Sequence, residues 1–263
     1  MPGIFRDGLF TGRHVFVTGG SSGINLRIAE AFGKAGAKVS ILARKQEKLD
    51  AALTLLKGQG TTAQGFSADV REYAAIDAAM TKAVEAFGPL DVLVCGAAGN
   101  FPAPAMAMSS NGFKAVLDID VLGTFNACRA AFEKFRTPGA SVINISAPQA
   151  SVPYPMQSHV CAAKAGVDML TRTLAMEWGG AGVRVNSISP GPIDETEGMT
   201  RLAGDAETKA KVEQRLPLQR FGTKDDIANV ALFLASEAAS YVTGSVYSCD
   251  GGMQLIGGSF MTL

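Results

Sequence analysis

The chain carries no excess of charge. Its 24 lysines and arginines balance its 24 aspartates and glutamates, so the formal net charge is zero. That leaves no electrostatic footprint for nucleic acid or for an anionic membrane surface, and neither is expected as a partner. Cysteine is scarce, with four residues, Cys95, Cys128, Cys161 and Cys249. Their spacing matches no zinc or CxxC pattern, so reduced, partly buried thiols and no metal are expected. No apolar run is long enough to span a bilayer. The opening stretch, MPGIFRDGLFTGRHV, lacks the continuous apolar segment of a secretory signal. The last residues, Met261-Thr262-Leu263, lack the basic penultimate residue of a peroxisomal address. The expected location is therefore cytoplasmic. Internal repeats, low-complexity tracts and a linker long enough to separate two domains are missing as well.

What is there is a long alternation. The chain has 263 residues, 47% hydrophobic and 18% charged, enough for one domain with a large core. HVFVTG, KVSILA, LDVLVCG, SVINIS and VRVNSIS are short, β-branched apolar runs, each ended by a polar or glycine turn. They read as buried parallel strands, with a last strand near 245–249. Helix-period segments lie between them at about 23–35, 45–58, 71–87, 110–137 and 158–179. This order predicts a single α/β domain over 1–263, a doubly wound parallel sheet of Rossmann type. From Pro190 to Pro217 the pattern breaks down. PGPIDETEG is a turn cluster followed by polar, weakly helical residues, and about 191–217 reads as a substrate lid.

Thr18-Gly19-Gly20-Ser21-Ser22-Gly23-Ile24-Asn25 sits between the first strand and the first helix. A glycine-rich turn there presents backbone N–H groups and a helix N-terminus to a diphosphate. Gly19, Ser21, Ser22, Gly23 and Ile24 are the candidate contacts. The second strand ends in Ala43-Arg44-Lys45. An acidic residue at Ala43 would favour NAD by binding the ribose 2′-hydroxyl. Its absence, with Arg44 next in line, points to NADPH, whose 2′-phosphate a guanidinium grips in a forked geometry.

With Lys164 and Pro190-Gly191-Pro192-Ile193, this turn resembles the short-chain dehydrogenase/reductase family. The family pattern TGxxxGxG has a glycine where this chain has Asn25. The resemblance implies that Asp69 and Val70 flank the adenine and that Cys95-Gly96-Ala97-Ala98 replaces the family's NNAG wall. It places Pro190, Gly191 and Ile193 against the nicotinamide, with Thr196 nearby. Members carry Tyr-x-x-x-Lys with an upstream serine. Here the lysine is Lys164, the tyrosine position is Val160 and the serine position is Ala147. Val160 has no proton to give to an alkoxide. Lys164 keeps its ribose role, and a reaction that needs no alkoxide protonated is expected.

Three strings narrow the resemblance: Ala97-Ala98-Gly99-Asn100-Phe101, LDIDVLGTFN, and Gln157-Ser158-His159 leading to Lys164. Together with GPIDETEG they are similar to the 2,4-dienoyl-CoA reductases, especially those of the peroxisomal type, over essentially the whole chain. The resemblance implies an acyl-CoA thioester substrate, reduced to an enoyl-CoA. Asn100 would hold the thioester oxygen, and Asp120 with Lys164 would organise a proton-delivering water. Phe101, Gln149 and Gln157 would line the substrate site. Asp120 is read either in that role or as a carboxylate capping a kink in a long helix. His159 is either a site residue or a neutral histidine satisfied by backbone. The resemblance also implies a homotetramer assembled through the segments 110–137 and 158–179. Two rivals stay open: another enoyl or 3-oxoacyl thioester reductase of the same fold, and a catalytically silent NADPH-binding protein.

Overall fold

The computed structural model describes residues 5–196 and 205–256. Seven parallel strands form one sheet in the order β3-β2-β1-β4-β5-β6-β7. They are β1 His14–Thr18, β2 Lys38–Ala43, β3 Ala63–Ser67, β4 Val92–Cys95, β5 Ser141–Ile145, β6 Arg184–Pro190 and β7 Val246–Cys249. β1 is buried at every position and β4 likewise, as strands covered on both faces must be. The strand order reverses between β1 and β4. In an open α/β sheet the crevice beyond the carboxyl ends of such a pair is where ligands bind.

The helices covering the two faces are α1 Gly23–Lys34, α2 Gln46–Gly58, α3 Tyr73–Phe87, α4 Ser110–Leu117, α5 Gly123–Phe132, α6 Ser158–Trp178, α7 Ala206–Arg215 and α8 Lys224–Ala235. α6 buries Val160, Ala163, Lys164, Val167, Asp168, Thr171, Leu174 and Ala175 along one stripe at helical spacing. α8 opens with a complete capping box between Thr223 and Asp226. Among the described residues no helix is long and apolar enough to cross a membrane, and no cluster of His, Cys, Asp or Glu is suited to a metal ion. All four cysteines are free, with the Sγ atoms of Cys95 and Cys128 3.8 Å apart.

Three features depart from the sequence expectation. β3, AQGFS, is a seventh strand with no apolar run to announce it. It lies at the sheet edge, only Ala63 is buried, and Gly65 makes room for Leu49 and Leu53 of α2. α8 has no counterpart in the sequence expectation, although its capping box is a sequence signal. The expected helix over 110–137 is three pieces. Residues Asp118–Leu122 form a π-turn between α4 and α5, and α5 stops at Phe132. It stops there because the following chain pairs with Leu90: Leu90 N–H donates to Lys134 O at 2.9 Å and Arg136 N–H to Leu90 O at 2.8 Å. Part of the expected lid, 197–204, and the terminal Met261-Thr262-Leu263 lie outside the described residues.

Candidate active site

The switch point holds a cleft of about 340 Å³ lined by Gly19, Ser21, Ser22, Arg44, Asp69 and Val70, with Asn25, Gly96 and Ala97 on its wall. The glycine turn is shaped by backbone demands. Gly19 has φ +71°, and a Cβ on it would meet Ala97 N at 2.9 Å. A side chain there is strained and has no room. Gly23 has φ +59°, and its missing Cβ faces open space, which leaves the N-terminus of α1 accessible. Ser22 is the residue before that helix, with no side-chain cap bond. The turn thus offers the first N–H groups of α1 beside the half-buried Ser21 and the exposed Ser22, which fits a diphosphate.

Arg44 is exposed at the end of β2. Asp69 is held by Arg71 in a two-pronged pair at 3.0 and 2.7 Å, and that guanidinium pulls the Asp69 carboxyl below the usual range. Asn25, where a third turn glycine was expected, is accommodated by Gly96: its Nδ2 donates to Gly96 O at 2.7 Å.

The second half of the site lies beyond β4 and β5. Lys164 is only 7% exposed and Asp120 only 1%. Lys164 Nζ donates to Ile145 O at 3.0 Å and sits 3.1 Å from Asp120 Oδ2. Asp120 Oδ1 accepts from Gly99 N–H at 2.7 Å. Asp120 Oδ2 is close enough for the ion pair but not aligned for a hydrogen bond, so it keeps an unfilled acceptor position. The π-turn puts Asp120 here. A buried pair of this kind is costly to break: removing one partner leaves a charge uncompensated, at about 3–5 kcal/mol.

The Asp120–Gly99 bond fixes one side of Asn100. On the other side the Phe101 ring packs 4.6 Å from that of His159. Asn100 itself is exposed, and its side chain makes no hydrogen bond among the described residues. A loop pinned at both flanks thus presents a free amide. His159 is fully buried with both ring nitrogens unpartnered, so the backbone-satisfied reading of it is wrong. Val160 is buried against Val116 and Ala163. Gln149 and Gln157 meet, Gln149 Nε2 donating to Gln157 Oε1 at 2.9 Å. The Tyr154 hydroxyl points to Met253 Sδ at 3.8 Å, and burial raises its pKa.

The segment after β6 does not line that cleft. Pro190 ends the strand, and Gly191 lets β7 approach, since a Cβ on it would be 2.5 Å from Asp250 Cα. Ile193 is buried and bridges to Gly222, and Thr196 Oγ1 donates to Ile193 O at 2.8 Å. Sequence reasoning missed Asp168, one turn after Lys164. It is buried, accepts from Ser187 Oγ at 3.3 Å, and has its pKa raised by that burial. The i, i+4 spacing from Lys164 was the available signal.

A Rossmann-type sheet with a glycine turn at its switch point and a buried lysine on the helix after β5 defines a class of dinucleotide-dependent oxidoreductases. The family model described as enoyl-(acyl carrier protein) reductase matches residues 19–254. The chain belongs to the short-chain dehydrogenase/reductase family. It is 44% identical over 254 residues to the peroxisomal 2,4-dienoyl-CoA reductase [(3E)-enoyl-CoA-producing] of Danio rerio, covering 96% of this chain and 85% of that one. It is 45% identical to the protein of the same name from Pongo abelii, covering 97% and 86%. Among solved structures, a gluconate 5-dehydrogenase from Burkholderia cenocepacia J2315 in complex with NADP and tartrate superposes with TM-score 0.87 at 31% identity, over 93% of this chain and 96% of that one.

Proposed function

We propose that the protein reduces a 2,4-dienoyl-CoA thioester to an enoyl-CoA with NADPH. The observation that carries this reading is the buried Asp120–Lys164 pair, set beside the free amide of Asn100 with Val160 in place of a hydroxyl donor. In this reading Val160 and Ala147 stand where the family's tyrosine and serine would be, and the site is not built to protonate an alkoxide. It is suited to a reaction whose negative charge spreads into a thioester oxygen and whose proton goes to carbon. The names of its relatives support the same substrate class.

Bound NADPH supplies a hydride, which goes to the δ-carbon of the diene. The Asn100 amide donates to the thioester oxygen as it gains charge. The Asp120 carboxylate, with its unfilled Oδ2, orients a water that relays a proton from solvent to the α-carbon, giving the 3-enoyl product that the relatives' names carry. Lys164 holds the nicotinamide ribose and pairs with Asp120. Arg44 takes the 2′-phosphate. Ser21, Ser22, Gly23 and Ile24 hold the diphosphate, and Asp69 and Val70 bound the adenine. Phe101, Gln149 and Gln157 face the acyl thioester, and Pro190, Gly191, Ile193 and Thr196 bound the nicotinamide. Exposed Leu122, Phe125, Phe132, Met169 and Met176, at and beside α5 and on α6, suit the homotetramer. The relatives are named peroxisomal.

The test is NADPH consumption with 2,4-hexadienoyl-CoA, alongside acetoacetyl-CoA and an NADH control. Turnover confined to the diene, with NADPH preferred over NADH by tenfold or more and the preference lost in Arg44→Ala, is expected. Equal or greater turnover on acetoacetyl-CoA, or none on either substrate, overturns the reading.

A further inference from the structure

Asn25 lies in the first turn of α1, and it lines the nucleotide cleft. Its Nδ2 donates to Gly96 O at 2.7 Å. A Cβ on Gly96 would lie 2.1 Å from Oδ1, 2.3 Å from Cγ and 2.4 Å from Nδ2 of Asn25. The amide therefore occupies the volume that any side chain at 96 would need. Gly96 is tied from the strand side too, its N–H shared between Thr18 O and Thr18 Oγ1 at 3.2 Å each. The next residue, Ala97, is the backbone that Gly19 must approach without a Cβ. One amide thus fixes the wall where it comes closest to the glycine turn. Its own Oδ1 is buried and makes no hydrogen bond.

We propose that Asn25 and Gly96 are a reciprocal pair that positions the wall of the cofactor cleft, an inference that rests on reading this cleft as the NADPH site. Whichever position carries the amide, the other must be glycine. The donor is essential: a carboxylate of the same shape would set an anion against the Gly96 carbonyl and next to the diphosphate. Asn25 is a positioning residue, acting on the cofactor through residues 96 and 97.

Four variants test this: Asn25→Gly, Gly96→Asn, the exchange Asn25→Gly/Gly96→Asn, and Asn25→Asp. NADPH affinity is read from nicotinamide fluorescence and folding from the melting temperature. Gly96→Asn and Asn25→Asp are each expected to weaken NADPH about tenfold or more, and Asn25→Gly about fivefold. The exchange variant returns to within about threefold of the parent, the signature of coupled neighbours. An exchange variant as weak as the two single changes combined overturns the proposal. Coupling seen in the melting temperature with NADPH affinity unmoved also overturns it, because the pair then serves the fold alone. A parent protein that binds no NADPH counts against the cofactor reading itself. The melting-temperature cycle then still decides whether the two positions are reciprocal.

Discussion

The nucleotide cleft and the reacting centre adjoin along one edge of the sheet, yet they are made of opposite materials. The cleft is a backbone device, exposed at Ser22 and Arg44, in which glycine is required by conformation at 19 and by space at 96. The reacting centre is a side-chain device, closed over a carboxylate and an ammonium that are almost wholly buried. A backbone cradle tolerates changes of charge but not of volume. A buried ion pair tolerates small changes of volume but not of charge. Substitutions of each kind should therefore act differently in the two halves.

The largest effect is expected at the reacting centre. Lys164→Ala and Asp120→Asn should each lower turnover on the dienoyl-CoA by at least about a hundredfold. Lys164→Ala should also lower the melting temperature, since it leaves Asp120 buried without its countercharge. Asp120→Asn keeps an acceptor for Gly99 N–H while losing the charge, which separates chemistry from loop anchoring. Near-normal turnover in either variant removes that residue from the mechanism. Next comes Gly19→Ala, a change of volume with no change of charge. It should weaken NADPH binding about tenfold with the thioester KM little altered, because the new methyl meets Ala97 N at 2.9 Å and φ is positive. Equal affinity in that variant would mean that the turn is not the diphosphate site.

The smallest effect comes from the opposite end of the strands. His14, at the start of β1, is fully buried between Gly88 O and Ser40 Oγ at 2.8 Å each, and burial lowers its pKa below the ordinary 6.5. The unfolded chain takes up a proton there before the folded one does. Stability from this group is thus present above pH 6.5 and is lost as pH falls through the depressed folded value. Melting curves should decline on that acid side, and less steeply in His14→Gln, with NADPH affinity at neutral pH unchanged in the variant. A change in affinity would show that the two sheet edges are coupled.

The same contrast explains what the sequence made readable. The glycine turn and six of the seven strands were legible, five of them because parallel sheets demand continuous apolar runs, and the turn because phosphate cradles demand glycine at a strand–helix junction. β3 was not, because an edge strand covered on one side by α2 needs no such run. At the centre, Lys164, Asp120 and Asn100 were legible as residue types. Their arrangement was not, since the π-turn that brings Asp120 to Lys164 has no composition signature in LDIDVLG. His159 was left open between a site residue and a histidine satisfied by backbone, and periodicity does not reveal that its ring lies against Phe101 without a nitrogen partner. Asn25 looked like a defect in the glycine pattern, and only its contact with Gly96 shows the compensation.

The π-turn at Asp118–Leu122 also bears on how such a centre is acquired. A π-turn accommodates one residue more than the α-helical register it interrupts. Removing one residue from it would leave a regular helix with its flanks in register, and would turn the residues inside the bulge by up to about 100°. The carboxylate that faces Lys164 is therefore one indel away from facing elsewhere. In this chain the counter-ion of the lysine depends on the count of residues as much as on their identity.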